Sequence, residues 1–185
     1  MKEKKVIGII GEQAGGKGAA AEIIVKKFGG IRLTTSDILK KVLDNLFLEY
    51  SRDNLSKLAL SLKKAFGDEV LMKAMLKEVE QAKEELVVVD GIRMKGDMAP
   101  FEKEYGKNFK SIYVTADPQT RYERSKKRGE KKQEAGQSYK SFLSKEKTGT
   151  EKDVPLLGKK ASFRIDNNGS KKELEKEIIK TINKI

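Results

Sequence analysis

The apolar run at residues 6–10 leads without a break into Gly11-Glu12-Gln13-Ala14-Gly15-Gly16-Lys17-Gly18-Ala19. A compact β-branched run of this kind marks a strand buried on both faces. Ala14, Gly15 and Gly16 then carry little side chain before Lys17. Residues 19–28 have helix-forming composition with Ile23, Ile24 and Phe28 on the apolar side, and Gly29-Gly30 stops them. Strand, Gly-rich loop and helix in that order make Gly11-x-x-x-x-Gly16-Lys17 a phosphate-binding loop. Small residues let backbone N–H groups turn toward phosphate oxygens, and the helix N-terminus adds its positive end. Lys17 supplies a point charge.

The same alternation continues. Residues 31–33 read as a short strand, and Thr35 or Ser36 caps a helix whose Ile38, Leu39, Val42, Leu43 and Leu46 keep helical spacing. Helical patterns cover about 53–66 and 68–83. Leu-Val-Val-Val-Asp-Gly at 86–91 is another buried strand, ending on an acid. A helix at 97–105, a strand at 111–116 and a helix opened by Asp117-Pro118 follow, the last carrying Arg121, Arg124 and Arg128. Residues 129–158 are rich in Gly, Lys and Glu with few apolar anchors, and read as a mobile insert. A strand at 162–165, a turn at Asp166-Asn167-Asn168-Gly169 and a helix marked by Leu174, Ile178, Ile182 and Ile185 close the chain. Strands alternating with helices predict an α/β fold with a mainly parallel sheet.

Composition narrows the chemistry. With no cysteine among 185 residues, neither a disulfide nor a Cys zinc site is possible. No apolar run approaches the length of a membrane span. The basic-then-apolar start at 1–10 is too short for a signal peptide and runs into Glu12 and Gln13, so a cytoplasmic location and no membrane partner are expected. A net charge of +12 favours an anionic partner, whether nucleic acid, acidic lipid or a phosphorylated small molecule. Sparse aromatics and absent Trp argue against a base-stacking surface.

Two positions of the loop depart from the common pattern. Gly18 and Ala19 follow the lysine, so no hydroxyl is available there for magnesium. The ion would depend on water and on an acid elsewhere. Asp90, ending an apolar strand, has the placement of a Walker-B-type acid that reaches the metal shell. Arg93, in Asp-Gly-Ile-Arg, would face the same cleft and suits an acceptor phosphate.

From these residues the chain resembles the nucleotide kinase and dephospho-coenzyme A kinase group of P-loop kinases over nearly its whole length. The Gly-Lys-Gly sequence resembles the adenylate kinase branch. Thr-Thr-Ser-Asp-Ile-Leu-Lys-Lys looks like the acceptor-side segment of nucleoside monophosphate kinases, with Thr35 and Asp37 matching and Lys40 standing where that family has arginine. Lysine keeps the charge and loses the bidentate fork. Residues 116–130 look like the segment before the lid, in which Arg124 and Arg128 match a pair that serves ATP. Their i,i+4 spacing puts both on one helix face. Residues 161–178 resemble the C-terminal strand, turn and helix of dephospho-coenzyme A kinases, where Asn168 and Gly169 would lie beside the adenine. The proline-leucine pair that follows the acid in those enzymes is absent.

The resemblance implies a P-loop NTPase fold of three α/β/α layers around a mainly parallel five-stranded sheet, in one domain over 1–185. It also implies a helical acceptor-binding insert at about 36–84 and a lid at about 129–158. ATP, with magnesium, would be held by Gly11, Ala14, Gly15, Gly16, Lys17, Gly18 and Ala19, and by Arg124, Asn168 and Gly169. Asp90 would hold magnesium through water, and Arg124 and Arg128 would stabilise charge on the transferring group. Thr35, Asp37, Lys40, Arg52 and Arg93 would bind the acceptor, a small phosphorylated molecule. Asp37 serves as base toward a hydroxyl acceptor and as a positioning group toward a phosphate acceptor. The expected activity is transfer of the γ-phosphate of ATP to a nucleotide-type acceptor by a monomer. Dephospho-coenzyme A as acceptor, an ATP-dependent switch binding RNA or protein, and an ATP binder without turnover are the alternatives.

Overall fold

The computed structural model describes residues 4–128 and 138–185, with the side chains of Arg52 and Arg128 outside the described residues. Five strands, β1 (Lys5–Ile10), β2 (Ile31–Thr34), β3 (Leu86–Ile92), β4 (Phe109–Thr115) and β5 (Phe163–Asp166), form one sheet in the order β2-β3-β1-β4-β5. Every pairing is parallel. Parallel strands need crossovers, and helices supply them on both faces. The runs of β-branched residues at β1, β3 and β4 follow from that burial on two sides.

On one face α1 (Lys17–Phe28) and α9 (Lys171–Ile182) cover the sheet, with Ala20, Ala21, Ile24, Leu174 and Ile178 packed on Ile7, Ile9, Val88, Ile112, Val114 and Ile165. On the other, α4 (Val70–Gln81), α5 (Ala99–Tyr105) and α8 (Val154–Lys160) bring Met72, Met75, Val79, Phe101 and Leu157 onto Val6, Ile10, Val87, Val89, Phe109 and Tyr113. The helices α2 (Thr35–Asn45) and α3 (Arg52–Phe66) add Leu39 and Ala59 to that second cluster. These three layers are the architecture expected.

Three local readings are corrected. The helix expected from Ala19 begins at Lys17. The cap of α2 is neither Thr35 nor Ser36 but Thr34, whose Oγ1 accepts from the Asp37 N–H at 3.1 Å. Thr35 is buried, and it packs so closely on the β3 backbone that a Cβ at Gly91 would lie 2.0 Å from its Oγ1. The third concerns the insert. Its first part, 129–137, lies outside the described residues, but the rest has firm apolar anchors. Phe142 in α7 (Tyr139–Glu146) and Val154 and Leu157 in α8 are buried. Arg121, on α6 (Pro118–Arg128), ion-pairs with Glu146 and donates from Nε to Ala116 O at 2.8 Å. Charge-rich composition concealed a few well-spaced apolar contacts.

Candidate active site

Open parallel sheets bind ligands beyond the carboxyl ends of their strands. Here the Gly11–Gly18 loop leaves β1 at that edge. Two glycines in it are dictated by close approach. A Cβ at Gly11 would lie 2.2 Å from Val114 O. Gly16 sits at φ 107°, and a Cβ there would meet Asn167 Nδ2 at 2.1 Å. Ala14, at φ 59°, holds the left-handed conformation that curls such a loop around its own N–H groups. Lys17 Nζ donates to the carbonyl oxygens of Gly11 (2.6 Å) and Glu12 (2.9 Å), so the ammonium is tucked along the loop.

One cleft of about 540 Å³ extends from this loop toward α2, α3 and α4. Gly16, Lys17 and Gly18 of the loop line it together with Asp90 and Arg93 and with Thr35, Asp37 and Lys40. Its cations are paired one by one. Arg32 meets Asp90 at 2.6 Å, Lys40 meets Asp37 at 3.1 Å, Lys63 meets Asp97 at 2.5 Å and Arg93 meets Glu151 at 2.5 Å. Among the described residues lining the cleft, Lys17 is the cation without a carboxylate ion-pair partner. Burial, then the nearby Arg93 charge, lowers its pKa to about 8, against the opposing pull of Glu151, Asp90 and Glu12. An anion placed there would relieve both effects.

Asp37 is a different case. Partial burial acts to raise its pKa, but hydrogen bonds from Thr34 Oγ1 (2.7 Å) and Lys40 Nζ, with the Lys40 and Arg32 charges, outweigh it and hold the carboxyl below its usual range. A carboxylate so stabilised is a weaker base and a good positioning group.

The remaining candidates divide. Gly11, Ala14, Gly15, Gly16, Gly18 and Ala19 occupy the loop and the first turn of α1, as the sequence pattern predicts. Arg124 donates from Nη1 to Asn167 O at 2.7 Å and from Nη2 to Gly169 O at 3.3 Å. It braces the 166–169 turn. Asn168 holds the same turn, accepting from the Asp117 N–H at 2.8 Å and donating to Asp166. Its neighbour Asn167 reaches the loop, with Nδ2 2.9 Å from Gly15 O. The side chains proposed for Arg52 and Arg128 lie outside the described residues.

Five side chains at the site went unread in the sequence: Arg32, Lys63, Asp97, Glu151 and Asn167. Asp97 accepts from the backbone N–H groups of Arg93 and Met94, both at 2.9 Å, and so shapes the loop after β3. Alternation along β2 and β5 was a usable signal for two of them. Ile31 and Leu33 pack on one face of the sheet, which sends Arg32 to the other, and Asn167 continues the side taken by Ile165.

Among the described residues no three Asp or Glu side chains gather into a metal cage. Magnesium is commonly held by one or two carboxylates together with substrate phosphates. Asp90, buried in the cleft lining, is the carboxylate placed for that limited role, and Arg32 Nη2 already holds its Oδ2 at 2.6 Å.

The family model described as an AAA domain matches residues 7–146. A UPF0200/UPF0201 protein of Archaeoglobus fulgidus is 26% identical over 178 residues, covering 95% of this chain and 54% of the relative. The chain thus spans about half of that relative's length. The solved shikimate kinase from Bacteroides thetaiotaomicron superposes with a TM-score of 0.64 at 13% identity, covering 98% of this chain and 99% of that one. A gluconokinase from Sinorhizobium meliloti superposes with a TM-score of 0.60 at 12% identity, covering 100% and 94%. At such identities the likeness is one of fold, and the fold is that of P-loop kinases. No described helix is long and apolar enough to cross a membrane.

Proposed function

We propose that this chain, which belongs to the AAA domain family, is an ATP-dependent kinase acting on a small phosphorylated acceptor of the nucleotide type. The observation that carries the reading is the single cleft that joins the Lys17 loop to Asp37, Lys40 and Arg93. Donor and acceptor sites in one cavity are what direct phosphoryl transfer needs, since its catalysis is mostly positioning and charge neutralisation.

In this reading the backbone of Gly11–Gly18 receives the outer phosphates of ATP. Lys17 turns from the Gly11 and Glu12 carbonyls to the phosphate oxygens. Arg93, in the cleft lining and fixed by Glu151 and by the Asp97-braced loop, faces the acceptor phosphate. Asp37 and Lys40 orient the acceptor from α2. An acceptor oxygen attacks the γ-phosphorus, the bond to the β,γ-bridging oxygen breaks, and ADP leaves. Magnesium, when bound, neutralises charge on the phosphates, and Asp90 would hold it through water. A phosphate acceptor is already ionised and needs no base, which agrees with the depressed pKa of Asp37. A ribose hydroxyl, as in dephospho-coenzyme A, would need one.

ADP release from ATP, measured with each ribo- and deoxyribonucleoside monophosphate, with dephospho-coenzyme A and without acceptor, tests the proposal. One nucleoside monophosphate should raise the rate far above the acceptor-free rate, and Lys17→Ala should abolish the rise. A rate equal with every acceptor and without one would refute it.

A further inference from the structure

Gly18 stands where loops of this kind place a Ser or Thr. A Cβ built at Gly18 would lie 3.3 Å from Arg32 Nη2, so the guanidinium fills the room beside residue 18. The same Nη2 lies 2.6 Å from Asp90 Oδ2. Arg32 therefore stands between the two positions that in other such loops flank a divalent ion: residue 18 of the loop and the acid near the carboxyl end of β3. Its Nη1 is 3.6 Å from Glu22 Oε1, and its buried Nε–H has no acceptor within the protein. It lines the cleft beside Lys17.

We propose that Arg32 is the resident cation of the nucleotide site, so that this chain binds ATP without a divalent metal. The inference rests on reading the loop as a nucleotide site. Arginine is always charged, and its planar fork matches phosphate oxygens two at a time. Asp90 is then chiefly the group that orients Arg32, and any magnesium must compete with the guanidinium for that carboxylate. Replacement of the usual hydroxyl by Gly18 is the steric counterpart of the arrangement, because a larger residue would press on the guanidinium. Magnesium would then be needed for transfer and not for binding.

Calorimetric titration with ATP tests this, in EDTA and again in excess Mg²⁺, for the wild type and Arg32→Met, with circular dichroism to establish that the variant is folded. Wild-type Kd should agree within about threefold between the two buffers. Arg32→Met should bind roughly tenfold or more weakly in EDTA, the worth of a charged hydrogen bond, and should regain affinity with Mg²⁺. Wild-type binding seen only with Mg²⁺, or a folded Arg32→Met with unchanged metal dependence, would overturn the role of Arg32 alone. Absence of ATP binding in both buffers would overturn the nucleotide reading and this inference together. If Arg32→Met does not fold, the two wild-type titrations decide.

Discussion

Asn167 Nδ2 donates to the carbonyl of Gly15 at 2.9 Å and ties the end of β5 to the phosphate loop. The contact is buried, and it sits where Gly16 has no side chain to interfere. Asn167→Ala should leave the Gly15 carbonyl unsatisfied and loosen the loop, weakening ATP binding by about 1 kcal/mol, roughly fivefold. Asn168→Ala removes the side-chain bonds to Asp117 and Asp166 and should lower the melting temperature with ATP affinity held within about twofold. Calorimetry and thermal melts on the two variants separate the roles. Equal losses of affinity would mean that both residues act through the turn.

Lys17, with a pKa of about 8 in the free protein, makes ATP binding sensitive to pH. Phosphate charge favours the ammonium and raises that pKa, so binding takes up protons as pH passes above about 8. Affinity should fall with rising pH in this window. Titrations in buffers of different ionisation enthalpy should reveal the uptake, and Lys17→Met should abolish it. The stability of the free protein runs the other way. The folded pKa lies below the unfolded 10.5, so the unfolded chain binds more protons between the two values, and unfolding free energy should rise with pH across that interval. Urea melts of the wild type against Lys17→Met read the difference.

Lys63 and Asp97 are both buried at the cleft wall. Lys63 also donates to Asp68 O at 2.5 Å. Lys63→Met leaves the Asp97 carboxylate uncompensated and should cost about 3–5 kcal/mol in urea unfolding. A loss below about 1 kcal/mol, typical of exposed pairs, would show that water reaches the pair.

Phe142 anchors α7 beside α6, with Tyr122 at a ring-centroid distance of 5.7 Å and the Arg121 guanidinium over its ring. Phe142→Ala should cost about 3–5 kcal/mol. Hydrogen exchange should show 139–146 protected in the wild type and unprotected in the variant. Rapid exchange of this helix in the wild type would restore the mobile insert that composition alone suggests.

Legibility in the sequence followed the range of the interactions. The β1–loop–α1 unit was readable because its geometry is set by neighbouring backbone, and Asp90 because a buried strand must end at the sheet edge. Arg32 with Asp90, and Arg93 with Glu151, are each joined across 58 residues. Such pairs depend on sheet register and on the docking of α7 and α8, which no local pattern encodes. The partners of Arg124 follow the same rule. Helical spacing gives the face a residue occupies, but whether that face meets phosphate or the carbonyls of a turn is decided by tertiary packing.

The central claim is direct transfer within one cleft, and it is tested most directly by following the label of γ-³²P-ATP. The protein, Mg²⁺ and each candidate acceptor are incubated together and the products separated. Label is expected in a phosphorylated form of one nucleotide-type acceptor, with Lys17→Met giving none. Label recovered only as inorganic phosphate, or remaining in ATP whichever acceptor is present, would contradict it.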